Sequence, residues 1–173
     1  DLGRGKNRIG GSALTQVYKE IGAHPADLDE PQDIKGFFQA IQHLLSEGKL
    51  LAYHDRSDGG LFTTLLEMAF AGHSGFIVTL DKLAATKADL AAVLFNEELG
   101  AVIQIRREDK GLVKDCLASY GIAACVHTIG KLAPEQVITF THGGKPVLAG
   151  NRIRYQRIWA ETSCRIQALR DNA

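Results

Sequence analysis

Apolar positions recur along the chain at two spacings, and each spacing predicts a different kind of element. Ile34, Phe37, Phe38, Ile41, Leu44 and Leu45 fall three and four residues apart, the repeat that lines one helix face, so 31–48 reads as an amphipathic helix ended by Gly48. Leu112, Val113 and Leu117 mark another helix over 109–119. Further helices are predicted over 13–21, where Ser12 is placed to cap, and over 61–71 and 87–95. Short apolar runs predict a buried strand at 50–53, strands at 76–80 and 101–105, and an extended stretch at 122–129. The runs 137–141 and 145–149 flank His142-Gly143-Gly144 and predict a hairpin. Beyond Asn151 the pattern predicts a helix packed through Ile158, Trp159 and Ile166, with its arginines forming a solvated face.

Alternating strands and helices define an α/β or α+β class, and the hairpin argues for a mixed sheet covered by helices rather than a purely parallel one. No repeat, low-complexity tract or linker interrupts the chain before about Asn151. Residues 1–150 therefore read as one domain and 151–173 as an extension. Composition narrows the functional classes. With 173 residues, 45% of them hydrophobic, the chain can bury roughly two-thirds or more of its unfolded surface, and disorder is excluded.

Twenty Lys+Arg against 20 Asp+Glu leave no net charge, which removes the long-range attraction behind nonspecific binding to nucleic acid or anionic membranes. The segment after Asn151 departs from this balance, with five Arg against Glu161 and Asp171, or 5 − 2 = +3. Cys116, Cys125 and Cys164 form no CxxC pair and are odd in number, a pattern suited to a reducing cytoplasm rather than to disulfides or zinc. No apolar run approaches the roughly 18 residues needed to span a bilayer. The chain begins Asp1-Leu2-Gly3 without Met, contains only Met68, and looks like a piece of something longer.

The segment LLAYHDRSDGGLFTTLLEM carries the clearest chemistry, because it runs from strand to polar turn to paired glycines to helix. Gly59 and Gly60 permit positive φ and close approach of a ligand, and the following helix start directs amides at negative charge. Asp55 and Asp58 disfavour a bare phosphate but suit a phosphate bridged by magnesium, and Ser57 can donate to a phosphate oxygen. The competing reading is a tight turn with Asp58 as a helix cap. His54 either positions this loop or simply ends the strand.

Gly5 to Gly10 has GxxxxG spacing but is followed by Gly11-Ser12, so a P-loop's Lys is missing; Lys6 and Arg8 could compensate only if the loop folded back. Otherwise residues 1–12 read as a flexible terminus. Glu97 and Glu98 read as one inward and one outward carboxylate, either an acid/base pair or a solvated helix end. The six histidines form no metal-binding pattern, and no nucleophile motif is present.

AYHDRSDGGL, EMAFAGHSG, AVLFNEELGAVIQI and WAETSCRIQALRDN, with the opening DLGRGKNRIGGSALTQVY, closely resemble the large single-chain phosphoribosylformylglycinamidine synthases of purine biosynthesis, in order and over nearly the whole chain. The resemblance implies an internal domain: the C-terminal portion of that enzyme's second aminoimidazole-ribonucleotide-synthetase-like half. The expected fold is α/β with a mixed, helix-covered sheet, partly ferredoxin-like. The full enzyme is a ligase converting formylglycinamide ribonucleotide, ATP and glutamine to the formylglycinamidine, ADP, phosphate and glutamate.

By this likeness Asp55 matches a magnesium (Mg2+) ligand and Ser57 a contact to a bound adenine nucleotide, ATP or ADP. The remaining magnesium carboxylates belong to an upstream domain, and the nucleotide of this half is auxiliary, so no residue here is catalytic. Residues 151–173 lead toward a downstream glutaminase that supplies its own Cys nucleophile, which leaves Cys164 without that role. The implied partners are those other domains and the nucleotide, with neither nucleic acid nor membrane. A purely structural domain-packing module is the alternative, and a self-contained phosphate enzyme using residues 1–12 is a third reading.

Overall fold

The computed structural model describes residues 1–171. In chain order its elements are α1 (Ala13–Val17), α2 (Pro31–Ser46), β1 (Ala52–Asp55), α3 (Gly60–Gly72), β2 (Gly75–Thr79), a 3-10 turn (Lys87–Asp89) leading into α4 (Leu90–Phe95), β3 (Ala101–Gln104), α5 (Lys110–Ser119), a 3-10 turn (Ala123–Cys125), β4 (Gly130–Ala133), β5 (Val137–His142), β6 (Lys145–Asn151) and α6 (Arg152–Asp171). They form two compact units, Asp1–Met68 with Lys82–Thr128, and Ala69–Asp81 with the chain from Ile129 onward. The class is mixed α/β with two sheets, as the alternation predicts.

The first unit is organised by α2 and α5. Pro31 opens α2 at a position where its missing amide costs nothing, and Gly48 at φ 60° follows its end. Ala40 and Leu44 of α2 meet Val113 and Leu117 of α5 in a core that also takes in Leu2, Ile122 and Cys125. The buried face differs from the predicted one: Ile34, Phe38 and Leu45 are exposed, whereas Gly36 and Asp33 point inward. At Gly36, α2 passes close to the end of α5. A Cβ there would lie 2.3 Å from the Tyr120 carbonyl oxygen. Hydrophobic periodicity does not register a glycine, so the face it selects was misplaced. Leu112 is likewise outside the core.

Three local expectations need correction in this unit. Helix α1 stops at Val17 instead of continuing to 21, because Lys19 takes φ 57°. The strand predicted at 50–53 is β1, which starts at Ala52, pairs antiparallel with β3 from Ala52↔Gln104 to Asp55↔Ala101, and alternates half-buried with exposed. A two-stranded sheet covered on one side cannot bury both faces of its strands. The stretch at 122–129 is not extended throughout, since the turn Ala123–Cys125 is what buries Ile122 and Cys125.

The second unit holds a four-stranded sheet in the order β4-β2-β5-β6, with β2 and β5 parallel and the other pairs antiparallel. Phe76 and Phe140 meet edge to face with centroids 5.3 Å apart, and Val78 and Ile138 are buried beside them in sequence and register. The predicted hairpin is β5–β6, turned by Gly143 and Gly144 at φ 58° and 70°. Helix α6 is anchored at its start, where Arg152 is buried and donates to the side chains of Gln136 and Gln156. Further along, Ile158, Trp159 and Ile166 stay more than half exposed rather than packed, although Trp159 touches Phe70. The last two positions of the 151–173 extension lie outside the described residues.

Candidate functional site

HDRSDGG spans the end of β1, a loop and the start of α3, as its strand–turn–helix reading requires. The loop contains a turn closed by the Gly60 amide on the Ser57 carbonyl, 2.9 Å, with Gly59 and Gly60 at φ 80° and 64°. Asp55, Ser57 and Asp58 are all exposed, so the polar side chains singled out by sequence face outward. Tyr53 donates its hydroxyl to Asp55 Oδ1, and burial together with that carboxylate keeps the Tyr53 phenol protonated well above its usual range. His54 bridges the Asp55 carbonyl at 2.7 Å and Glu67 at 2.9 Å, so it ties the strand end to α3 and positions the loop.

Arg56 points the other way. Its guanidinium is buried, donating to the Glu98 and Leu99 carbonyls and, at 2.6 Å, to Asp1 Oδ1. Burial lowers its pKa to about 10, which still leaves it charged. It is thus an internal clamp, unavailable to a phosphate.

FNEELG supplies the rest of that clamp and corrects the reading of 97–98 as a solvated helix end. Glu98 is fully buried and takes Arg8 bidentately, Nε to Oε1 at 2.5 Å and Nη2 to Oε2 at 2.7 Å, plus the Arg8 backbone amide at 3.1 Å. Burial pushes the Glu98 carboxyl up, and the Arg8 bonds more than reverse it, holding it below the usual range. Glu97 Oε1 accepts two backbone amides, Ala13 at 2.9 Å and Gly59 at 2.8 Å. Asn96, also fully buried, donates to Asn7 Oδ1 at 3.1 Å.

Residues 1–12 are correspondingly a strap held onto the first unit, which overturns their reading as a flexible terminus. Leu2 sits in the core, Arg4 pairs bidentately with Asp33 at 2.7 and 2.8 Å, and Lys6 and Arg8 share Asp29. Ser12 caps α1 as predicted. Arg4 and Arg8 are held bidentately by Asp33 and Glu98 and Lys6 pairs with Asp29 at the surface, so the cations of the GxxxxG loop are turned to carboxylates of this unit. The helix-start anion site is also partly taken, because Glu97 already occupies the Gly59 amide.

The three sequence motifs therefore form one network: strap, FNEELG, and the loop carrying Asp55 and Ser57. Sequence reasoning located the loop and expected one inward carboxylate at 97–98, which is Glu98, but missed Asn96 and the part that Glu97 and Glu98 play in holding the loop and the strap. The available signal was three strongly polar residues between the apolar α4 and β3, where no solvated turn of that length is needed.

The fold thus places an acidic segment, braced from behind, with the side chains of Asp55, Ser57 and Asp58 facing outward. The chain belongs to the family of AIR synthase related proteins, as their C-terminal domain, matching it over residues 2–143. Among solved structures it resembles Thermotoga maritima PurL, with a TM-score of 0.62 at 15% identity to the ATP complex, over 84% of this chain and 23% of that one. The FGAR complex of the same protein gives 0.61 at 18%, over 72% and 21%. HypE of E. coli, a hydrogenase maturation protein, gives 0.54 at 18%, over 80% and 45%. Likeness at such identity is one of fold. The chain spans less than a quarter of the PurL chains it matches.

Magnesium fits the loop in kind but not in number. It prefers oxygen ligands, commonly one or two carboxylates with phosphate oxygens and water, and Asp55 offers one exposed carboxylate. Among the described residues no three His, Cys, Asp or Glu side chains are grouped to hold a metal ion. The other ligands would have to come from elsewhere. No helix among the described residues is long and apolar enough to cross a membrane.

Proposed function

We propose that this chain is the C-terminal α/β domain of the second aminoimidazole-ribonucleotide-synthetase-like half of a large, single-chain phosphoribosylformylglycinamidine synthase, an ATP- and glutamine-dependent ligase. In this reading it contributes half of an auxiliary magnesium–nucleotide site, with Asp55 holding Mg2+ and Ser57 contacting ATP or ADP. Residues 1–150 act as the domain, and 151–173 lead toward the glutaminase that releases ammonia. The chemical step occurs elsewhere in the enzyme. The observation that carries the reading is the outward presentation of Asp55 and Ser57 on a loop clamped by Arg56 and Glu97, in a family whose PurL relatives are crystallised with ATP and ADP. A braced segment offering the Asp55 carboxylate, with Asp58 exposed nearby, supplies part of an oxygen-ligand set whose remainder would come from a second contributor.

Asp55→Asn in the full-length protein tests it. Nucleotide released on denaturation and quantified by chromatography is expected to fall well below wild type, with the melting temperature lowered as the bound ligand's stabilisation is lost. A second reading, a domain-packing module without a ligand, draws on the exposed apolar residues of α6, among them Ile166 and Leu169. Unchanged nucleotide content and stability in Asp55→Asn would favour that module.

A further inference from the structure

We infer that Glu97 is a positioning residue of the 55–59 segment, holding its glycine end as His54 and Arg56 hold its strand end, and so fixing through the Gly59 amide the direction in which the segment meets a magnesium-bound adenine nucleotide. The inference rests on the magnesium–nucleotide reading of the loop. It starts from a single atom, Glu97 Oε1, which accepts from Gly59 at 2.8 Å and from Ala13 at 2.9 Å. One oxygen thereby joins the first residue of α1 to the residue preceding α3.

Gly59 is the place in the loop that most needs a restraint. At φ 80° and without a side chain it has more backbone freedom than any neighbour except Gly60, and the turn it belongs to carries Ser57 two residues earlier. The Gly60–Ser57 bond closes that turn from within and ties it to no other element. Glu97 supplies that tie, and it can do so because its own backbone is immobilised on both sides. Asn96 is fully buried, bonding to the Ala92 carbonyl at 2.7 Å and to Asn7, and Glu98 is fully buried on Arg8. The chain thus places a rigid carboxylate behind a flexible glycine.

The same bond has an electrostatic consequence. A carboxylate already at the Gly59 amide denies that donor to a phosphate and repels a second anion from that side. A polyphosphate must then approach from the exposed side, where Asp55 and Ser57 stand, which favours recognition through the metal over direct capture by the start of α3. Glu97 touches no ligand in this scheme, and its effect is exerted through the backbone.

The test uses the full-length protein and reads Mg-ADP affinity by calorimetric titration alongside hydrogen exchange over residues 55–63. Glu97→Gln keeps a carbonyl acceptor of the same reach and is expected to bind within about threefold of wild type, with the loop still protected. Glu97→Ala removes the acceptor and is expected to weaken binding about tenfold and to expose the Gly59 amide. Glu97→Asp keeps the charge but shortens the reach, and it is expected to behave like Glu97→Ala; it serves as the measurement if Glu97→Ala does not fold. Wild-type affinity in Glu97→Ala or Glu97→Asp, with only a lowered melting temperature, overturns the inference, as does a Glu97→Gln variant as weak as Glu97→Ala. Asp55→Asn is titrated in parallel. If it binds like wild type, the magnesium–nucleotide reading itself fails; if it releases nucleotide while the Glu97 variants do not, only the positioning role fails.

Discussion

Replacing Gly36 by Ala sets two opposed effects of known size against each other at one position. In an open helix the change is favourable, since Ala exceeds Gly in helix propensity by about 1 kcal/mol. At Gly36 the new methyl would stand 2.3 Å from the Tyr120 carbonyl oxygen and 3.2 Å from Ile122 Cγ2. Ordinary contact begins at 3.4 Å, so α2 and the end of α5 must part by 3.4 − 2.3 = 1.1 Å. No rotamer change relieves this, because the obstacle is backbone. The shift also loosens the seam of Ala40 and Leu44 against Val113 and Leu117, and overpacking of this kind costs about 1–3 kcal/mol.

Because the obstacle is backbone, the steric cost falls in the upper part of that range, about 2–3 kcal/mol, and outweighs propensity to leave a net loss of about 1–2 kcal/mol. In a chain of this size that corresponds to a melting temperature lower by about 2–8 °C. Gly111→Ala is the control. Gly111 lies in α5 with nothing within 4 Å of an added Cβ, so propensity acts alone and stability should rise by up to about 1 kcal/mol. Urea unfolding followed by circular dichroism reads both variants. A Gly36→Ala protein as stable as wild type, or one that shifts in the same direction as Gly111→Ala, would refute the close approach of α2 to Tyr120.

Acid should unfold the protein through its strap. The Arg4 bonds hold Asp33 below its ordinary value of 3.8, and Arg8 holds Glu98 below 4.5 despite burial. For depressed carboxylates the stabilisation is complete above those ordinary values and is lost as pH falls through the lower folded ones. Urea midpoints measured down an acid series should be level until that window and then fall, and Arg4→Ala should show a shallower fall; an identical slope would discount the Arg4–Asp33 pair. Thiol labelling tests burial directly. Exposed Cys164 should react at once, whereas Cys125, buried and with its thiol pushed up by that burial, should react only as the chain unfolds in urea, so equal rates would contradict the packing around Ile122.

Local chemistry carried far in this chain. The helix over 31–48, the strand at 76–80 and the glycine hairpin after His142 each announce themselves within a dozen residues, because 3.6- and 2-residue periods and turn residues are properties of neighbours. The candidate loop was legible for the same reason: strand, polar turn, paired glycines and helix are contiguous. Its exposed side chains, Asp55 at the end of β1 and Ser57 in the turn, alternate with the inward Arg56, whose direction is set by Asp1 and the Glu98 and Leu99 carbonyls. Where the expectation failed, the deciding partner was remote. The face of α2 was misjudged because Gly36 meets Tyr120, and the terminal helix because its apolar residues find few neighbours within their own unit.

Composition and order alone were enough to establish an α/β chain with a mixed sheet, no net charge and an acidic segment after the first strand. The support of that loop could come only from tertiary structure. Glu97 reaches Gly59 across 38 residues and Ala13 across 84, and Glu98 reaches Arg8 across 90. A charged pair between two apolar elements looks the same in sequence whether it is solvated or buried. It becomes a clamp only when the fold delivers an arginine and two free amides to it, and burial then makes those bonds costly to break.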